Sequence, residues 1–180
     1  MMSEQALIPN QILIGENLYT QAIDLILAKA QRRIWIFDQD LSRGGFASLT
    51  RYELLKSFLS THIASELCII VHDAAYFQQR CPRLSHLLRI YPHKMRVQVT
   101  DNSMKNFKAC FIVVDGIHYV KRIHIDQARF KFGYSDKTLD HKTQSRVIHD
   151  QVIQSEILQQ QFLELQTASP DTISSTVLGL

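Results

Sequence analysis

The chain has 180 residues, a net charge of +3, and 46% hydrophobic against 21% charged residues, enough for one α/β domain with a buried core and too little for two. No apolar run approaches the ~20 residues of a membrane helix, and the amino terminus lacks the features of a secretion signal, so a cytoplasmic protein without a membrane span is expected. Cys68, Cys81 and Cys110 are odd in number and widely spaced, which points to reduced, mostly buried thiols. Neither Cys-x-x-Cys nor paired-His spacing argues for zinc, and no metal or cofactor is expected.

In chain order, residues 1–10 read as a flexible leader. Gln11 to Ile14 make a short strand, and a helix follows with Leu18, Ala22, Leu25 and Ile26 at helical spacing and Asn17 as its cap. Arg33 to Phe37 is a second strand. After a loop with Gly44-Gly45, Thr50 and Glu53 fit a capping box ahead of Leu54, Leu55, Phe58 and Leu59. Leu67 to Val71 is a third, continuously apolar strand, the pattern of a parallel sheet covered on both faces. Ala74 to Tyr91 reads as helix in two pieces, the second starting at Pro82, and Met95 to Thr100 alternates as a half-exposed strand.

The run from Lys108 to Asp126 is the most informative. Phe111 to Val114 is a buried strand, Asp115-Gly116 tolerates the positive φ of a type I′ turn, and the chain returns antiparallel, giving a hairpin over Phe111 to His124. Arg129 to Tyr134 alternates again. Leu139 to Ala168 is mainly helix, with Ile153, Ile157, Leu158, Phe162 and Leu165 as an inward stripe; residues 169–180 form a polar tail and 11–168 the domain. The expected fold is a single-domain α/β sandwich, a mixed but mostly parallel sheet with helices on both faces.

Charge is uneven. Arg80 to Lys131 holds eleven Lys and Arg against three Asp, +8, which suggests an anionic partner or a cationic surface spread over several faces. Ligands of open parallel sheets bind beyond the carboxyl ends of the strands. Those ends carry Asp38 and Asp40, His72 and Asp73, and Thr100 and Asp101, which form either a polar site or caps of the turns that follow. His72 is a candidate nucleophile or base, or is held by a backbone carbonyl. On the return strand Arg122 and His124 share parity and face: a guanidinium to grip a phosphate and an imidazole to attack or protonate it.

The hairpin resembles the strand that carries the phospholipase D signature, a histidine, any residue, a lysine, four residues, then aspartate. With Asp115 on the aspartate, Lys108 falls at the histidine and Cys110 at the lysine, so one of three residues is kept; the downstream Gly-Ser-x-Asn falls on Arg122, Ile123 and Ile125. More closely, His72-Asp73, Cys81-Pro82-Arg83-Leu84, Leu87-Leu88-Arg89, Asp115-Gly116 with His118-Tyr119, Arg122-Ile123-His124 and the final Leu-Gly-Leu are similar to a bacterial family of unknown function with a phospholipase D-like fold, some members of which are joined to an acyltransferase domain. The resemblance implies the fold, a homodimer, an acyltransferase partner and a phosphate-shaped basic cleft without the transfer reaction.

The expected function is a non-catalytic domain that binds a phosphate-containing ligand, possibly nucleic acid, through Lys108, Arg122, Lys121 and Arg83. The alternatives are a phosphodiesterase or phosphotransferase with a rewired site, His124 or His72 as nucleophile or acid oriented by Asp38, Asp40 or Asp101, and a structural module that holds a partner enzyme.

Overall fold

The structure is a computed structural model. It describes residues 6–134 and 141–174, the stretch 141–148 as backbone only. The strands are β1 (Leu13–Ile14), β2 (Arg33–Asp38), β3 (Glu66–Val71), β4 (Met95–Val99), β5 (Cys110–Val114), β6 (His118–His124), β7 (Gln127–Gly133) and β8 (Asp171–Thr172). The helices are α1 (Glu16–Leu27), α2 (Leu49–Thr61), α3 (Ala75–Arg80), α4 (Pro82–Ile90) and α5 (His141–Thr167). All eight strands join one sheet in the order β1-β7-β6-β5-β2-β3-β4-β8.

The sheet is mixed, but the expectation that it is mostly parallel is corrected. Only β2 with β3 and β3 with β4 run parallel; the other five pairings are antiparallel. Apolar runs report that a strand is covered on both faces and say nothing of its direction. Direction follows from the connections. Ten residues with no crossover helix separate β4 from β5, too few to return the chain to the far end of the sheet, so β5 starts where β4 ends and runs against β2.

Alternation along the strands divides the core. Ile34, Ile36, Leu67, Ile69, Val97, Ile112 and Val120 pack under α1 to α4, whereas Trp35, Phe37, Ile70, Phe111, Val113 and Tyr119 lie under α5. The inward stripe of α5 is Gln151, Ser155, Leu158, Phe162 and Leu165. Ile153 and Ile157, expected within it, are exposed, because the stripe passes through two polar residues that apolar spacing does not detect. Phe162 stacks on Trp35 with centroids 4.7 Å apart.

Helix starts differ in detail from expectation. Gly15, at φ 132°, precedes α1 where Asn17 was expected as the cap, and Ser48 caps α2 by accepting the Arg51 N–H, in place of the Thr50 capping box. Pro82 does open α4. In the hairpin Asp115 and Gly116 take φ of 54° and 71°, as a type I′ turn requires. The Asp115 carboxylate accepts the N–H groups of Gln31, Arg32 and Arg33 at 2.8 to 2.9 Å, tying this turn to the start of β2. At the two ends of the described chain, Leu7 packs against the core and Asp171–Thr172 pair with β4.

Candidate functional site

The carboxyl ends of β2, β3 and β4, the loop 100–109 and the start of β5 meet at one end of the sheet. Each carboxylate found there is engaged by its own turn. Asp38 accepts the N–H groups of Asp40 and Leu41, Asp40 the N–H and hydroxyl of Ser42, Asp73 the N–H of Ala75, and Asp101 that of Ser103. These are capping contacts. Among the described residues no three His, Cys, Asp or Glu side chains are grouped as metal ligands.

His72 is buried at the end of β3 with both ring nitrogens engaged. Nε2 lies 2.8 Å from the Phe107 carbonyl, which can only accept, so Nε2 carries the proton and Nδ1 takes the Thr100 hydroxyl at 2.5 Å. Burial, with Lys105 and Lys108 nearby, lowers its pKa and keeps the ring neutral. Lys105 donates to the His72 carbonyl, and Gln39 donates to the carbonyls of Phe107 and Ala109. His72 thus holds the loop 100–109, and no nitrogen is left to attack a substrate.

Under α1 the cleft expected between Lys108 and Arg122 is filled. Arg122 is 1% exposed. Its guanidinium makes a two-pronged pair with Glu16 at 2.7 and 2.8 Å, donates to the carbonyl of Ile125 at 2.7 Å, and lies 5.0 Å from the centre of the Tyr19 ring. Arg122 is therefore corrected from an anion-binding group to the partner of a carboxylate. The hydrogen bond from Arg122 lowers the Glu16 pKa. Beside this pair Cys110 and Asp38 are both fully enclosed; burial pushes the thiol up and the Asp38 carboxyl to about 6.

Register explains the arrangement. Cys110 pairs with Arg122 across β5 and β6, and both face α1, as do Ile112 and Val120. The register shifts between Arg122 and His124, where two steps along β6 face three along β7, and the two side chains take different partners, Arg122 the Glu16 carboxylate and His124 the Asp126 N–H. His124 is 38% exposed and its Nδ1 accepts the Asp126 N–H at 3.2 Å.

The remaining predicted cations lie apart. Lys108 is exposed where β5 begins, and its carbonyl accepts the Ile125 N–H. Arg83 is on α4 and donates to the Ala47 carbonyl at 3.0 Å. Lys121 is on the α5 side of β6, directly opposite Lys131. Glu16 and Phe107, which decide the states of Arg122 and His72, are not singled out by the sequence; neither stands in a recognisable motif.

Fold and site together define an α/β domain with one mixed sheet, its Asp, His72 and Arg122 side chains engaged at the end where a ligand was expected. The chain belongs to the family of the domain of unknown function DUF7931, whose model matches residues 16–154. No curated protein matches the sequence. Among solved structures it is similar to TrmBL2, an archaeal chromatin protein whose structure is described as showing a novel mode of DNA binding, at 11% identity and a TM-score of 0.55. That match covers 94% of this chain but 56% of TrmBL2, so the chain spans little over half its length. It is also similar to NucT from Helicobacter pylori, at 10% identity and a TM-score of 0.54, over 88% of this chain and 96% of that one. Such low identities establish the fold alone.

Proposed function

We propose that this is a non-catalytic, phospholipase D-like domain that binds nucleic acid through its phosphates. The observation that carries the reading is the contrast between Lys108 and its neighbours. At the three positions aligned with the phospholipase D histidine, lysine and first glycine stand an exposed Lys108, an enclosed Cys110, and an Arg122 that fills the cleft and pairs with Glu16. Phosphohistidine chemistry needs a free imidazole and cations around the phosphoryl oxygens. In support of a domain without that transfer, both nitrogens of His72 are bonded and the nearest guanidinium is paired with Glu16.

The DNA-binding description of TrmBL2 supports nucleic acid over other phosphate ligands, as does the surplus of cations between Arg80 and Lys131. The test is a panel of labelled duplex DNA, single-stranded DNA, RNA and anionic vesicles at low salt, with a chromogenic phosphodiester assayed beside it. Binding of nucleic acid without turnover is expected. Turnover that His124→Ala abolishes and His118→Ala spares would replace this reading by the rewired enzyme, and binding to no nucleic acid would end it.

A further inference from the structure

Among the described residues, the α5 side of the sheet is only partly covered. Gln151 of α5 donates to the Ile117 carbonyl, and a Cβ at Gly133 would strike the Tyr119 ring and Gln151, so the helix crosses near the β6 turn. From there its stripe runs to Phe162 over Trp35 and Gln166 beside Cys68. Among the described residues, the opposite corner, made by β1, β7 and β6, is left uncovered by α5. By alternation and register this face carries Lys121, Arg129 and Lys131, with Ile14 opposite Arg129; Arg129 is exposed and the two lysines are half-buried. Ile14 is 56% exposed.

Two features of this corner need an explanation. Lys121 and Lys131 are directly opposed, an arrangement that costs stability. Neither they nor Arg129 makes a hydrogen bond or ion pair with a described residue. Edge protection does not account for it, because β6 and β7 are interior strands and β1 forms the edge. We infer that this corner of β1, β7 and β6 is where nucleic-acid phosphates dock, with Lys121, Arg129 and Lys131 as a sequence-independent contact set. The inference rests on the proposed nucleic-acid binding and moves it away from the end of the sheet where a ligand was expected.

Neighbouring Cα atoms in such a set are about 5 to 7 Å apart, close enough for one stretch of sugar-phosphate backbone to meet all three charges. A bilayer fits less well. Ile14 stands directly opposite Arg129, so it could not enter the acyl region without taking charge with it.

The experiment is fluorescence anisotropy of a labelled DNA duplex against wild type, the triple variant Lys121→Gln, Arg129→Gln, Lys131→Gln, and the double variant Lys105→Gln, Lys108→Gln. The triple variant should keep or raise its melting temperature, since like charges are removed, yet bind at least ~10-fold more weakly, its log-log salt slope shallower by nearly 3 at ~0.9 per phosphate contact. Unchanged binding by a folded triple variant, with loss in the double variant, overturns the corner and leaves the proposed function standing. If wild type binds no nucleic acid, the function and the corner fail together. If wild type binds phosphatidylserine vesicles in place of DNA and the triple variant does not, the inference is overturned in favour of a membrane.

Discussion

Arg122 directs its charge inward, and that sets apart residues the sequence had grouped. Replacing either Arg122 or Glu16 breaks a bidentate pair, so Arg122→Ala or Glu16→Ala should cost about 2–4 kcal/mol in urea denaturation. Lys108→Ala, at an exposed position, should stay within about 0.5 kcal/mol. Equal effects of Arg122→Ala and Lys108→Ala would contradict the placement. Asp38 and His72 contribute to pH dependence with opposite signs, beside the lowered Glu16 and His118. Burial raises the Asp38 carboxyl from 3.8 to about 6, so the fold keeps a proton the unfolded chain has lost; this stability is complete below about 3.8 and is lost as pH rises to about 6. At roughly 1.36 kcal/mol per unit the change is about 3 kcal/mol. His72 has the opposite sign: its pKa is lowered from 6.5, so its contribution is present above about 6.5 and falls on acidification, when the unfolded chain takes up the proton first. Asp38→Asn should therefore rise more steeply in stability than wild type as pH goes from about 3.8 to about 6. Parallel profiles for the two proteins would contradict this. What the sequence made legible here was residue type and position. The alternative that Asp follows strands as a cap holds for Asp38, Asp40, Asp73 and Asp101, and so does a histidine held by a carbonyl. The state of Arg122 was not legible, because its partner is 106 residues away.

Among the elements, the β5–β6 hairpin was the most readable, since Asp-Gly between apolar runs specifies a turn by backbone sterics alone. Its further role, holding the start of β2 through the Asp115 carboxylate, depends on a long-range contact that no local pattern records. Asp115→Ala should lower the melting temperature more than Asp115→Asn, which keeps one acceptor and tolerates positive φ; the reverse order would contradict the anchoring role. Helix α5 was legible in extent and only partly in facing. Leu158, Phe162 and Leu165 turn inward as expected, but Gln151 and Ser155 complete the stripe in place of Ile153 and Ile157. Phe162→Ala should cost about 3–5 kcal/mol and shift Trp35 fluorescence toward that of an exposed indole, since the two rings stack. An unshifted spectrum would mean that α5 does not cover β2.

For the whole molecule, the single α/β layer arrangement could be read from the sequence, while strand direction could not, since burial on both faces looks the same in parallel and antiparallel strands. The basic surplus was legible as a sum and not as a surface. Folding neutralises Arg122 with Glu16, engages Lys94 with the carbonyls of Leu59 and His62, and leaves other cations exposed. An electrostatic binder of nucleic acid must release counterions as it binds, so affinity for DNA should fall linearly in log-log form as salt rises, with a slope of roughly −0.9 per phosphate neutralised. The most direct test is that titration on the wild-type protein with a labelled duplex from ~50 to ~200 mM salt, the DNA recovered afterwards and sized. The account predicts a steep negative slope and intact DNA; an absence of binding at the lowest salt, a salt-independent affinity, or shortened DNA would contradict it.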